Sequence, residues 1–474
     1  MTGRHWVTRP VQRRMAPMRD ETGFWMHSLG GGGARRAPLA GSIEADVAIV
    51  GAGYTGLWTA YYLKQADPSL RIVVLEREFA GFGASGRNGG WVSGFISGPP
   101  KVYARRGGRG AAAALQREMF ATVDEVGRVV AAERIDADWV KGGNVAVAVG
   151  EAQAAHLRGG VAAGREWGVG EDDLRLLDAA ELAARVRVAG ARAGTFTPHC
   201  ARVHPAKLVH GLADAVERLG VTIHEQTAVT EIAPRVARTA RGDVRARWIV
   251  RATEGYTSTL HGLKRALVPM NSSMIVTEPL PAEAWAQIGW EGRETLSDGA
   301  HVYVYAQRTA DDRIAIGGRG VPYRYGSRTE RAGVTAPETV AALREKLHAL
   351  FPATAAAPIA HAWSGVLGVP RDWCISAAAD QATGIAWAGG YVGEGVATTN
   401  LAGRTLRDLV LGRRSELTAL PWVGRRPAKW EPEPLRWPMI HGVYALYRQA
   451  DRIETRSGRP SRLGSLVDRA SGRH

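Results

Sequence analysis

The sequence predicts an α/β fold in which a parallel sheet is interrupted by a second unit built on an antiparallel sheet. Residues 45–76 carry the first part of this. "ADVAIV" and "RIVVLE" are continuous apolar runs, and "TGLWTAYYLKQA" between them sets Leu57, Ala60, Tyr61 and Leu63 at helical spacing. Strand, helix and strand at that separation form a βαβ unit, which implies parallel strands covered on both faces. Residues 265–320 carry the second part, because "SSMIVTEP", "HVYVYAQ" and "RIAIGGRG" alternate apolar and polar positions. The fold class is therefore α/β: a Rossmann-like nucleotide-binding domain with an interleaved mixed α/β domain on an antiparallel sheet.

Residues 1–42 begin polar and end in "GGGGARRAPLAGS", a flexible N-terminal extension without periodicity. After the βαβ unit a long helix is predicted near 111–135, a half-buried strand at 143–149, and further helix to about 188. The helix "PAKLVHGLADAVERLG" follows, then the strands "VTIHEQ", "AVTEIA" and "RARWIVRAT". A helix over 337–351 precedes one more buried strand, "GIAWAGG", at 384–390. These patterns assign 43–105, 190–262 and 360–420 to the nucleotide-binding domain and 106–189 and 263–359 to the second, substrate-binding domain. Residues 421–474 form a basic, aromatic tail that straps across the protein's own surface, with a disordered end after about 455.

Composition is that of a globular protein, 45% hydrophobic and 23% charged. No apolar run approaches the roughly 18–20 residues that cross a bilayer. The basic N-terminus lacks the apolar stretch of a secretory signal. Cys200 and Cys374 offer neither a disulfide framework nor metal-ligand spacing, so a cytoplasmic protein without a metal is expected. The net charge is +15, but only seven of the 61 basic residues are lysine, and the clusters "YARRGGRG" and "GRRPAKW" sit in no nucleic-acid-binding module. A solvated basic surface is the expectation, not a nucleic-acid partner.

Chemistry enters at "VAIVGAGYTGLW". Gly51, Gly53 and Gly56 have the spacing of a dinucleotide fingerprint: a tight turn, close approach of a pyrophosphate, and close helix–strand packing. Tyr54 and Thr55 lie at the helix start, where free N–H groups attract phosphate. Glu76 ends the next strand and accepts from ribose hydroxyls, with Arg77 beside it. The ligand is an adenine dinucleotide. The irregular segment "REFAGFGASGRNGGW" then leaves the second strand where a nicotinamide dehydrogenase continues with further strand–helix units. Gly83, Ala84, Gly89 and Gly90 keep its backbone small enough to lie along the cofactor. Ser85 donates to the pyrophosphate, and Arg87 and Asn88 place polar groups beside a ring system.

With these features the chain resembles the FAD-dependent amine and amino-acid oxidases of the D-amino-acid oxidase type, most of all the gamma-glutamylputrescine oxidase branch. The resemblance spans about residues 21–420. It rests on "ETGFWMHSL", "GRNGG", "HPAKLVHGLADAVERLGV" and "WAGGYVGEGVATTNLAGRTLRDLVLG", in that order. It implies that Val229 meets the adenine side, that Ala252 and Thr253 lie near the pyrophosphate, and that Gly390, Tyr391, Gly393, Gly395 and Val396 open a helix pointing at the flavin. Relatives with covalent flavin carry a cysteine where this chain has Gly365, so non-covalent FAD is implied.

The resemblance further implies oxidation of the C–N bond of an amine or amino-acid-like substrate to an imine, with dioxygen as acceptor and hydrogen peroxide as product. Arg319, Tyr303 and Tyr305 are the candidates for holding a substrate carboxylate, although alternation places the two tyrosines on one face that equally suits core packing. Arg87 is a candidate cation or clamp near the flavin, and His204 and Trp363 are further candidates. Two other readings stay open at this point: a dehydrogenase of the same fold passing electrons to a carrier or quinone, and a basic nucleic-acid-binding protein with an incidental nucleotide fold.

Overall fold

The computed structural model describes residues 22–31, 33–329 and 333–471. Of the N-terminal extension, residues 1–21 and 32 lie outside the described residues. Two eight-stranded sheets and a two-stranded ribbon organise the rest. The first sheet runs in the order Ser376–Asp380, Ile385–Gly389, Gly242–Arg251, Ile43–Val50, Ile72–Leu75, Thr222–His224. The hairpin Val229–Ala233 and Val236–Thr239 continues from Gly242–Arg251. Ile43–Val50 is parallel to both neighbours, with Val47 opposite Ile72 on one side and Trp248 on the other. Its continuous apolar run has a physical cause: Val47 and Ile49 enter the core on one face, and Ala48 and Val50 enter the core on the other.

Helices Tyr54–Ala66 and Gly395–Val410 pack against each other beside this sheet. They approach so closely at Gly403 that a Cβ there would lie 2.7 Å from the main chain of Trp58.

The second sheet runs Ile359–Val369, Val268–Thr277, Ile314–Gly318, Tyr305–Arg308, Thr295–Asp298, Asn144–Val149, Ala191–Thr197, Arg175–Leu177. It is antiparallel except between Thr295–Asp298 and Asn144–Val149, which run parallel. Two strands depart from their expected place. Ala191–Thr197 and most of Ile359–Val369 fall in stretches expected in the nucleotide-binding domain, yet both hydrogen-bond into this second sheet. Ile359–Val369 pairs along its whole length with Val268–Thr277. "HVYVYAQ" becomes strand only from Tyr305. Its first residues are drawn away: Asp451 accepts from the main-chain N–H groups of His301 and Val302, and Asp298 accepts from Val304 N.

Both chain ends are more ordered than their composition suggests. In the lead-in, the short helix Phe24–His27 is buried, and Trp25 Nε1 donates to Asn88 O at 2.8 Å. The tail does not end in disorder at 455, because helices Arg436–Ser457 and Arg462–Ser471 carry it onward. Trp430 anchors it through Nε1 to Val369 O, and Glu454 accepts from Ser461 N. Apolar and charged anchors at wide spacing are hard to read as structure in a Pro- and Arg-rich sequence. Among the described residues no helix is long and apolar enough to cross a membrane.

Candidate active site

The glycine fingerprint, the loop after the second strand and the turn before helix Gly395–Val410 meet on one elongated cavity. Each glycine of the fingerprint has its own constraint. Gly51 has φ +109°, and a Cβ there would stand 2.6 Å from Ala252 O. Gly53 lines the cavity, and a Cβ there would come within 2.9 Å of Ser85 Oγ. Gly56 lies off the cavity, with a Cβ position only 2.0 Å from Gly51 O, so it serves helix–strand packing. Ser85 Oγ accepts from Tyr54 N at 2.9 Å, which leaves its own O–H to donate. Tyr54 and Thr55 line the same wall, where Thr55 Oγ1 and Tyr391 OH are 2.9 Å apart.

Glu76, Arg77 and Val229 face this cavity, as do Ala252 and Thr253. Glu76 Oε2 accepts from Ala52 N and Oε1 from Glu78 N. Burial pushes its carboxyl upward while those N–H groups pull it down, and the net direction is up. Each oxygen retains a lone pair for a hydroxyl ligand. The Arg77 guanidinium lies over the Tyr256 ring, 4.8 Å from its centre.

From the later turn, Tyr391, Gly393, Gly395 and Val396 reach the cavity and Gly390 does not. Glu254, which the sequence reading passed over, explains this. Its Oε2 accepts from Gly390 N at 2.9 Å and its Oε1 from Tyr391 N at 3.1 Å. A Cβ on Gly368 or Gly389 would sit within 2.9 Å of that carboxyl group. Burial raises the Glu254 pKa to about 7. The only local signal was a glutamate inside "ATEGYT", next to nothing that marks its partner 136 residues away.

The loop "AGFGASGRNGGW" divides its labour differently from the expectation. Gly83, Ala84, Ser85 and Asn88 do line the cavity. Gly90 does not; at φ +72° its Cβ would collide with Gln307 Nε2 at 2.0 Å and Val203 O at 2.4 Å. Gly81 and Gly86 are likewise small for protein neighbours, since Cβ atoms there would meet Val209 and Gly81 O at 2.4 Å. Most of the smallness answers the protein's own packing. Arg87 is similarly employed: Nε donates to Phe82 O at 2.8 Å, and the guanidinium lies over the Phe82 ring. Its main-chain carbonyl accepts from Trp363 Nε1. It fastens the loop to strand Ile359–Val369 and lies off the dinucleotide cavity, on the lining of the neighbouring one.

A second cavity opens from the first, sharing Ala84, Asn88, Leu367, Gly393 and Val396 with it. Tyr303, Tyr305 and Arg319 line it, together with Gly89, Gly365 and Glu394. The Tyr305 ring fits because Gly89 and Gly317 lack side chains; Cβ atoms there would stand 2.9 and 2.4 Å from it. Tyr305 OH and Ser272 Oγ are 2.7 Å apart, and burial pushes the phenol up to about 12.

Arg319 follows the strand Ile314–Gly318, and its Nη1 is buried with no hydrogen-bond partner among the described residues. Burial opposes its charge, the hydroxyls of Tyr444, Tyr303 and Tyr305 favour it, and the net direction is upward. No carboxylate among the described residues pairs with it. Tyr444 comes from the tail helix, an element the sequence did not connect with this site.

Two candidates are structural. His204 caps helix Pro205–Arg218, accepting at Nδ1 from Lys207 N, while Nε2 faces Ser28 Oγ at 3.0 Å. Trp363 is fully buried with its N–H on Arg87 O. Cys200 and Cys374 are buried, and neither lines the two cavities.

This arrangement has known counterparts. Residues 46–409 match the sequence profile of the FAD dependent oxidoreductase family, DAO. The chain belongs to that family. As a family member it is 33% identical over 429 residues to gamma-glutamylputrescine oxidoreductase of Escherichia coli, a match covering 87% of this chain and 94% of the relative. Its fold is similar to that of glycine oxidase from Geobacillus kaustophilus, with a TM-score of 0.68 at 20% identity over 81% of this chain and 99% of that one. L-proline dehydrogenase from P. horikoshii is a further structural neighbour, with a TM-score of 0.65 at 16% identity over 80% of this chain and 97% of that one.

The first cavity suits the family's cofactor. Gly53 is open where a pyrophosphate must approach, Glu76 keeps acceptors for ribose, and the glycine turn held by Glu254 opens a helix N-terminus at the far wall. Bound there, FAD supplies a two-electron acceptor for a substrate C–H bond. The protein's residues bind, orient and tune charge around it.

Proposed function

We propose that this flavoenzyme oxidises the C–N bond of an amine or amino-acid-like substrate to an imine, with dioxygen as the electron acceptor and hydrogen peroxide as product. The observation that carries the reading is Arg319. Its guanidinium has no hydrogen-bond partner among the described residues at the buried Nη1 and faces a cavity continuous with the dinucleotide cavity. Such a group is costly unless a ligand anion completes it. A guanidinium fork matches a carboxylate, and Tyr303 and Tyr305 supply hydroxyls beside it. The similar proteins support the same class, being a gamma-glutamylputrescine oxidoreductase, a glycine oxidase and an L-proline dehydrogenase.

In this reading Arg319 fixes the substrate, Tyr305 and Leu367 help exclude water, and FAD is held without a covalent bond because neither cysteine reaches it. Position 365, a glycine here, opens on the second cavity. The test is an anaerobic amine panel scored by bleaching of the flavin absorbance, followed by peroxide detection under air. Bleaching by at least one amine, with stoichiometric peroxide, is expected. Bleaching without peroxide replaces dioxygen by a carrier or quinone, and no bleaching by any amine removes the reading.

A further inference from the structure

Glu394 immediately precedes helix Gly395–Val410, at the position where an acidic side chain ordinarily caps the first turn. It makes no cap hydrogen bond. Its side chain lies instead on the second cavity, in the same lining as Arg319, Tyr303 and Tyr305. Gly393 and Val396 on either side of it line both cavities, so this turn stands at their junction, with the carboxyl group hydrogen-bonded to Ser93. The Ser93 hydroxyl is its hydrogen-bonding neighbour, and no cation among the described residues compensates it. The lining of the substrate cavity thus holds one carboxylate, Glu394, and two guanidinium groups, Arg319 and Arg87. Arg87 is engaged by Phe82 O, and among the described residues neither Glu394 nor Arg319 has an ion-pair partner.

We propose that Glu394 is the amine-binding carboxylate of this site and the base that removes the ammonium proton before C–H cleavage, so that the preferred substrate is a dipolar amino acid with its carboxylate on Arg319. The proposal rests on the C–N oxidation reading above. A free amine of ordinary basicity arrives protonated near neutral pH. Its nitrogen must recover a lone pair before the adjacent C–H bond can leave as hydride. The first step is R₂CH–NH₃⁺ + Glu394–COO⁻ → R₂CH–NH₂ + Glu394–COOH. The C–H electron pair and hydrogen then pass to FAD as hydride, and the nitrogen lone pair forms the C=N bond, giving R₂C=NH₂⁺.

Glu394 suits that transfer. Burial raises its pKa while Ser93 pulls it down, and the net direction is up, toward that of its partner. Of the ionisable groups around it, burial raises the Tyr305 phenol and the Cys200 thiol to about 12, and the net direction for Arg319 is upward. Glu254, raised to about 7, holds the adjacent turn at Gly390 and Tyr391, so a pH effect between 5 and 9 is assigned to Glu394 where Glu394→Gln removes it.

The experiment compares wild type, Glu394→Gln and Glu394→Asp as holoproteins with equal flavin content. The binding probe is tert-butylammonium chloride, which has no C–H on its nitrogen-bearing carbon and cannot be oxidised. It is titrated against the flavin spectrum at pH 8. Glu394→Gln is expected to bind it at least tenfold more weakly. The second readout is the limiting rate of anaerobic flavin reduction by the best amine of the panel, followed against pH. Wild type should rise to a plateau. Glu394→Gln should be slower by about a hundredfold or more, the usual range of a positioned base, and should climb without a plateau toward the amine's own pKa. Glu394→Asp should fall between them. Equal tert-butylammonium affinity and an unchanged pH profile in Glu394→Gln would overturn the proposal. If no amine bleaches wild type, the C–N reading fails and the base role with it. The binding titration still reports separately whether Glu394 holds an ammonium.

Discussion

Replacing Arg319 by alanine separates a substrate-binding role from a structural one. Among the described residues the buried Nη1 has no hydrogen-bond partner and no carboxylate pairs with the guanidinium, so the substitution breaks no ion pair there. Because the hydroxyls of Tyr444, Tyr303 and Tyr305 favour the charge, the midpoint of thermal unfolding without substrate should fall only slightly. The loss should appear only with a carboxylate ligand. A hydrogen bond to a charged group is worth about 1.5–3 kcal/mol, which converts to roughly tenfold to a hundredfold in kcat/KM. Arg319→Lys should recover part of this, because an ammonium keeps the charge and loses the planar fork. The assay is steady-state kinetics on matched amines with and without a carboxylate, at equal flavin content. Equal losses for both amines would make Arg319 structural, and no loss for either would remove it from the site.

Gly56→Ala should lower the unfolding midpoint and weaken FAD retention together, because the new Cβ starts 2.0 Å from Gly51 O, where only backbone can move; overpacking of this kind costs about 1–3 kcal/mol or more. A variant as stable and as yellow as wild type would contradict that packing. Glu254 gives a pH signature. Its folded pKa of about 7 lies above the ordinary 4.5, so the native state holds the extra proton, and stability falls as pH rises from about 4.5 to 7. Apoprotein denaturation at pH 5 and pH 8 should therefore shift in favour of Glu254→Gln, relative to wild type, by about 3 kcal/mol at the higher pH; parallel pH dependences would refute it. Acid precipitation should release the flavin as FAD into the supernatant, and colour retained in the pellet would show a covalent bond.

Much of this protein is written in short-range patterns. The βαβ unit could be read because a strand buried on both faces needs a continuous apolar run, and Gly51, Gly53, Gly56 and Glu76 have fixed offsets within it. Arg319 could be placed near the site because it ends an alternating strand. The family resemblance rested on such local words in order, and the profile match over 46–409 bears it out.

What escaped the sequence depends on which surfaces meet. An alternating strand reads the same in either sheet, so only pairing with Val268–Thr277 puts Ile359–Val369 in the second. The glycines of 81–90 look like a cofactor track, yet Gln307, Val203 and Val209 account for several of them. Glu254 and Tyr444 carry no motif of their own, and Glu394 sits inside the "GYVGEGV" turn with nothing to mark its role. Their places follow from a turn packed on a distant loop, a helix start aimed at a cavity, and a tail helix laid beside Arg319. A carboxylate's chemistry is set by its solvent and its neighbours, and those are supplied by residues far away in the chain.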